Sequence, residues 1–350
     1  MIFPGMTIIM RKLSDKCRLR CIIFNIKHRK KRIFLSKNTR PFLKYRATAP
    51  KELALIRPSQ FDSSAVFVNE IWECARRRGR VYLDLSNLES LSPCGMIYFL
   101  STLDQIVEKY KVVISGCYPK TDIVEQMLQK LGIIKAMGLS ERKKIDNTDV
   151  TNWHIHRGYD VNFSEEYDDI EEILKDNLTK EGFEIVNSGI SEAVSNTCFH
   201  GYEQNEKQRP WWAFVRRFES DKGTSLMVVL SDLGFGIHKT IPLSVKKKLG
   251  MSMKRFSSEF GILKPNQASS KIKIACELGS TRTKLGHRGK GLPEIVDVTR
   301  SLPKSNLAVI SGQGLVVFRK DKNGKITDSQ VESKTKIKGS VIIWQIPIPE

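Results

Sequence analysis

Acidic residues are almost missing from the first 46 positions. Asp15 stands against 14 lysines and arginines there, so this stretch carries +13 of the formal +20 and the other 304 residues only +7. Long apolar runs are also missing. None approaches the ~18 residues that a bilayer-spanning helix needs, so no such helix is expected. The seven cysteines, at 17, 21, 74, 94, 117, 198 and 276, are odd in number and scattered, which argues against a disulfide framework or a repeated C-x-x-C metal site. Cys17 and Cys21 lie close together, but nothing downstream completes them as zinc ligands. A secretory leader is not expected, because apolar Met1–Met10 precedes the basic residues rather than following them. The expected compartment is a reducing cytoplasm.

What is present fits two domains. A chain of 350 residues with 40% hydrophobic content can bury two proper cores. Residues 1–46 read as a disordered basic arm centred on Lys27-His28-Arg29-Lys30-Lys31-Arg32. Residues 11–46 suit the phosphates of nucleic acid or an anionic surface, and equally a solvated tail.

Residues 47–139 alternate between strand and helix patterns. Strands are expected at Lys51–Arg57, Val81–Leu85 and Val112–Ser115, and helices at Phe61–Arg78, Gly95–Tyr110 and Pro119–Leu131. The run VYLDLSNLESLSPCGMIYFL, Val81 to Leu100, resembles the central signature of STAS domains, the fold of anti-sigma-factor antagonists. In switching members of that family a phosphorylatable serine directly precedes the helix glycine. Here that position is Cys94, so the resemblance does not extend to a phospho-switch, and a small buried residue at a helix start is the plainer reading.

Residues 140–150, polar and charged, read as a linker. Beyond them, helices are expected at Glu165–Leu178 and about Thr179 to Gly201, and strands at Trp153–Ile155, Trp211–Phe218, Ser225–Ser231, Leu307–Ser311, Gly314–Arg319 and Val341–Ile346. In the second helix Glu192, Asn196 and His200 recur at steps of four and share one face. Asp232-Leu233-Gly234-Phe235-Gly236 follows, then Gly286-His287-Arg288-Gly289-Lys290-Gly291-Leu292. Taken singly, these are also readable as a wet helix face and a turn after a strand. Their order is similar to the N box, Glu-x-x-x-Asn, and the two glycine boxes of the GHKL superfamily, which unites gyrase-like, chaperone, histidine-kinase and anti-sigma-kinase ATP-binding domains.

That resemblance runs from about Tyr159 to Pro349, within a domain expected over residues 151–350, and implies an α/β sandwich, a mixed sheet covered by helices, with an ATP lid over about 237–285. It implies that Asn196 ligates Mg2+ through its amide oxygen and that Glu192 polarises the attacking water or hydroxyl. Asp232 would accept a hydrogen bond from the adenine amino group, with Gly234 and Gly236 shaping the turn beneath. Gly286, Gly289 and Gly291 would bring backbone amides to the phosphates, assisted by Arg288 and Lys290, with Leu292 closing the box. His200 leans the resemblance toward anti-sigma serine kinases, though a histidine satisfying helix-end carbonyls is an equal alternative. The function implied is a Mg-ATP-dependent serine/threonine kinase or ATPase acting on a regulatory partner protein, with a homodimer left open. The alternative is a nucleotide-gated binding module without efficient phosphoryl transfer.

Overall fold

The computed structural model describes residues 45–163, 167–206, 208–221, 223–242, 264–277, 292–320 and 323–349, with Ser252, Lys254, Arg255 and Ser258 besides. All but the last two residues of the basic arm lie outside these, as do Gly286, Arg288, Gly289, Lys290 and Gly291. The chain divides into two compact units. One takes the described residues up to Leu53 with Val66–Leu91 and Thr102–Thr151; the other takes Ala54–Ala65, Ser92–Ser101 and Asn152 onward.

The elements of the first half are β1 (Arg46–Thr48), β2 (Glu52–Leu53), α1 (Pro58–Arg78), β3 (Arg80–Asp84), β4 (Ser90–Leu91), α2 (Pro93–Tyr110), β5 (Val113–Gly116), α3 (Asp122–Lys130), α4 (Ile133–Ala136) and α5 (Thr148–Thr151). Strands β1, β3 and β5 form a parallel sheet in that order, and β2 pairs in parallel with β4. Parallel neighbours need crossovers, which α1 and α2 supply. Helix α1 forms because Phe61, Ala65, Val68, Ile71 and Ala75, all buried, fall on one stripe, with Pro58 in the first turn and Arg76–Arg78 at the negative end of the dipole. Ser92 Oγ accepts from the Gly95 N–H at 3.2 Å and caps α2. Cys94 beside it is 2% exposed, and burial raises its thiol pKa, consistent with the plainer reading of that position.

Two expectations need correction here. The strand over 51–57 shrinks to β2 because the Ala54 N–H is taken by Ser64 Oγ at 3.0 Å rather than by a neighbouring strand. Residues 140–147, expected to link domains, run along α3. Arg142 grips the buried Glu125 carboxylate at 2.7 and 3.0 Å with its guanidinium 3.7 Å from the Tyr118 ring, and Gln126 and Gln129 accept from the N–H groups of Asp146, Asn147 and Lys143. The polar residues of this stretch serve a buried acid, and solvent alone does not explain them.

The later elements are β6 (Trp153–Gly158), α6 (Asp168–Asn177), α7 (Lys180–Asn196) continued by a π-helical turn (Thr197–Gly201), β7 (Trp211–Ser220), β8 (Gly223–Asp232), α8 (Ala268–Glu277), α9 (Leu292–Ser301), β9 (Asn306–Ser311), β10 (Gly314–Lys320), β11 (Ile326–Glu332) and β12 (Ser340–Pro347). They build a seven-stranded sheet in the order β11-β10-β9-β12-β8-β7-β6. Every neighbouring pair is antiparallel, so the expected mixed sheet is corrected. Two-residue connections between β7 and β8 and between β9 and β10 leave those pairs no other choice. The coarser α/β composition stands.

One face of this sheet carries Ala213, Leu230, Ile342, Val309 and Val316 in one row across the strands and Val215, Val228, Trp344, Leu307 and Phe318 in the next. These join one hydrophobic core with α6, α7, α8 and α9. The other face buries Trp212, Phe214, Val229, Ile310, Leu315, Val341 and Ile343, which explains why β8, β9 and β12 read as nearly unbroken apolar runs. The long stretch assigned to a lid also needs revision. Its α8 belongs to the core, with Ile272, Ile274, Ala275 and Cys276 buried. Among the described residues no helix is long and apolar enough to cross a membrane.

Candidate functional site

One further row crosses the helix-covered face at the end of the sheet, and its chemistry differs. In register it reads Gly158, Trp211, Asp232, Ser340, Ser311, Gly314 and Glu332. Residues paired this way share a face, so the apolar core ends on a line of polar and small side chains. Above it lies a small cleft of about 10 Å³, room for about one water, lined by Ala193, Val194 and Thr197 from the helix side and by Trp211, Leu230, Asp232, Ser340 and Ile342 from the sheet.

Helix α7 delivers the N-box residues to this end. Thr179 caps it, accepting from the Gly182 N–H at 3.1 Å, and Val186, Ile190, Ala193 and Val194 turn inward. Asn196 Nδ2 donates to the Glu192 carbonyl and to Glu192 Oε1, both at 2.8 Å. Since both partners are acceptors, the nitrogen must face them. Asn196 Oδ1 is left with no partner among the described residues, and a hard amide oxygen of this kind fits a magnesium ligand. Among the described residues no three His, Cys, Asp or Glu side chains gather around a metal position, so the other ligands would have to come from a nucleotide and water.

The α-helix stops at Asn196, and the π-helical turn carries Phe199 and His200 outward, Phe199 to 63% exposure. This turn is knitted to the first glycine box. The Phe235 N–H donates to the Gly201 carbonyl at 2.6 Å, and the Leu233 N–H donates to Tyr202 Oη at 3.2 Å. A Cβ on Gly234 would stand 2.0 Å from that Gly201 carbonyl oxygen, so only glycine lets the two backbones meet. Gly236 has φ +82° and packs against the Gly339 carbonyl. Both glycines therefore shape the turn that follows Asp232.

Asp232 is 8% exposed. Its Oδ1 accepts from the Gly234 N–H at 2.8 Å, and Ser340, its register partner on β12, bears on it through hydroxyl and backbone N–H while directing that hydroxyl to Ser311 Oγ at 3.4 Å. Burial outweighs these donors and lifts the carboxyl to about 6. Nearby, His238 Nδ1 lies 3.0 Å from Ser311 Oγ, and burial lowers its pKa to about 4, so the imidazole is neutral.

The start of α9, at Leu292, comes to the same end. Helices α7 and α9 run antiparallel, with Gly182 facing Leu302, Gly189 facing Val298 and Ser188 Oγ 3.2 Å from Glu294 Oε2. Moving along α7 toward Glu192 therefore leads to the first turn of α9, whose N–H groups favour anions.

Glu192, Asn196, Asp232, Gly234, Gly236 and Leu292 thus fall at one end of one sheet, while the rest of the second glycine box lies outside the described residues. Sequence reasoning missed Thr197, Trp211, Ser311 and Ser340, whose signal is a strand register between distant segments. Comparison of the chain with protein-family models, with curated proteins and with solved structures found no match.

Proposed function

We propose that this chain is a Mg-ATP-binding regulatory protein, of GHKL type in its later half and STAS-like in its earlier half, that passes the terminal phosphoryl group to a partner protein or to water. The observation that supports this reading is that Ala193, Val194 and Thr197, the neighbours of the hydrogen-bonded Glu192–Asn196 pair on α7, meet buried Asp232 at one small cleft. Asp232 would accept from the adenine amino group. Asn196 Oδ1 would hold magnesium, which when bound supplies charge compensation for the phosphates. Glu192, already oriented by Asn196 Nδ2, would accept the proton of the attacking hydroxyl or water. The first turn of α9 and the glycines before it would receive the phosphate oxygens.

Gamma-labelled ATP and magnesium, incubated with the purified protein alone and with candidate partners, test the chemistry. Label on a second protein identifies a kinase, and free phosphate an ATPase. Glu192→Ala should keep ATP binding within a few-fold and lower turnover roughly 10²–10⁴-fold. Equal turnover by the variant removes the catalytic assignment, and binding without turnover by wild type leaves the nucleotide-gated module.

A further inference from the structure

We propose that the edge of the parallel sheet from which β1, β3 and β5 start, where α1 and α2 end, is a docking surface for the phosphate backbone of a nucleic-acid duplex. Parallel topology creates this edge, because each crossover helix runs back against the strands and so finishes where the next strand begins. The two helix ends are held together. The Val113 N–H donates to the Gly79 carbonyl at 3.0 Å, Arg80 pairs with Val113 in register, and the rings of Trp72 and Tyr110 meet edge to face with centroids 6.3 Å apart. Arg76, Arg77, Arg78, Arg80, Lys109 and Lys111 gather there, all exposed.

Part of this charge has a local account. Cations in a last turn offset the helix dipole, and Glu73 pairs with Arg76 at 3.0 Å and with Arg77 at 2.7 Å. Arg78, Arg80 and Lys111 have no acidic partner among the described residues. Arg80 opens a strand, where no dipole calls for a cation. Lys111 stands just past α2 with φ +51°, as Gly79 stands just past α1 with φ +61°. Their N–H groups close the two helices alike, donating to Val107 at 2.9 Å and to Ala75 at 3.1 Å. Glycine takes this left-handed conformation without strain, so lysine is held here against the backbone's preference, two residues before the register partner of Arg80.

A concentration of unpaired cations calls for a polyanion, and the surroundings choose which. A membrane surface takes basic residues together with inserted apolar side chains, and a single strand takes exposed aromatic faces. On this edge Val113 is the one large apolar side chain exposed among the described residues, and Trp72 and Tyr110 are half-buried against each other. A duplex backbone needs neither, and the planar forks of arginine match its phosphate oxygens. Strand β1 starts from the same edge, with Arg46 opposite Tyr82, so residues 1–46, with their +13, join the fold there and add to the same field.

Fluorescence anisotropy of labelled short DNA and RNA duplexes with the full chain, over about 50–200 mM salt, tests this. The triple variant Arg78→Gln/Arg80→Gln/Lys111→Gln should lower the slope of log affinity against log salt by about 2.7, or 0.9 per lost phosphate contact, and weaken binding roughly a hundredfold at about 0.1 M salt. Lys111→Gly alone should lower the slope by about 0.9 while melting no lower than wild type, a split that a merely structural lysine would not give. Lys51→Gln/Lys120→Gln, past the opposite ends of β1 and β5, should leave the slope as it is. A triple variant that binds like wild type, an equal loss per charge in the Lys51/Lys120 variant, or a wild type that binds phosphatidylserine vesicles and neither duplex overturns the proposal.

Discussion

At Asp232 the fold buries a carboxylate that accepts from the Gly234 N–H. Burial raises it from an ordinary 3.8 to about 6, so between those values the folded chain binds more protons than the unfolded one. Stability therefore falls as pH rises through that window and stays lower above it. Two units correspond to about 3 kcal/mol. Asp232→Asn should accordingly melt several degrees higher than wild type at pH 7.5, with the gain gone by about pH 4, while binding ATP more weakly. Melting curves at the two pH values check this, and a variant less stable than wild type at pH 7.5 would show that the carboxylate is structural. Glu192, Asn196 and Asp232 could be offered as candidates from the sequence because four-residue steps and a glycine turn are local signals. Ser340, Ser311 and Trp211 were not legible, since their place beside Asp232 depends on register between strands far apart in the chain. The need for glycine at 234 was likewise hidden, because the atom it must avoid belongs to Gly201.

Among the elements, α8 and β11 are the pair that pattern reading handled worst, and each explains the other. Strand β11, ITDSQVE, is a polar edge strand with weak alternation, and α8 lies in a lysine-rich stretch that reads as a lid. Glu332 at the end of β11 accepts from the Ala268 and Ser269 N–H groups at 3.0 Å each and from Ser269 Oγ at 2.8 Å. It caps α8 from another element, which no local signature of α8 contains. Glu332→Ala should cost about 1–2 kcal/mol in urea unfolding, with Glu332→Gln costing less. An unfolding midpoint unchanged in the alanine variant would mean that α8 is held by its apolar face alone. By contrast α1, α2, α7 and β7 to β10 were legible because their apolar periodicity and turn residues agree.

The molecule as a whole divides differently from its apparent sequence boundaries. The second compact unit includes Ala54–Ala65 and Ser92–Ser101. Within it the Thr335 N–H donates to Asp62 Oδ1 at 2.8 Å and the Lys338 N–H to Tyr98 Oη at 2.9 Å. A fragment spanning residues 152–350 leaves out part of its own unit, so it should aggregate or melt well below the chain that starts at residue 45. A monomeric fragment with the melting temperature of the longer chain, by gel filtration and calorimetry, would show that those segments are dispensable. The sequence could not reveal this, because α1 and α2 each read as one continuous helix while their first turns belong with distant strands.

The most direct measurement is calorimetric titration of the full chain with ATP, with and without magnesium, in wild type and Asn196→Ala. Wild type should bind in the presence of magnesium, and Asn196→Ala should lose most of that binding while keeping its fold. Undiminished magnesium-dependent binding by Asn196→Ala, or none by folded wild type, would contradict the convergence of α7, the Asp232 turn and the start of α9 on one nucleotide.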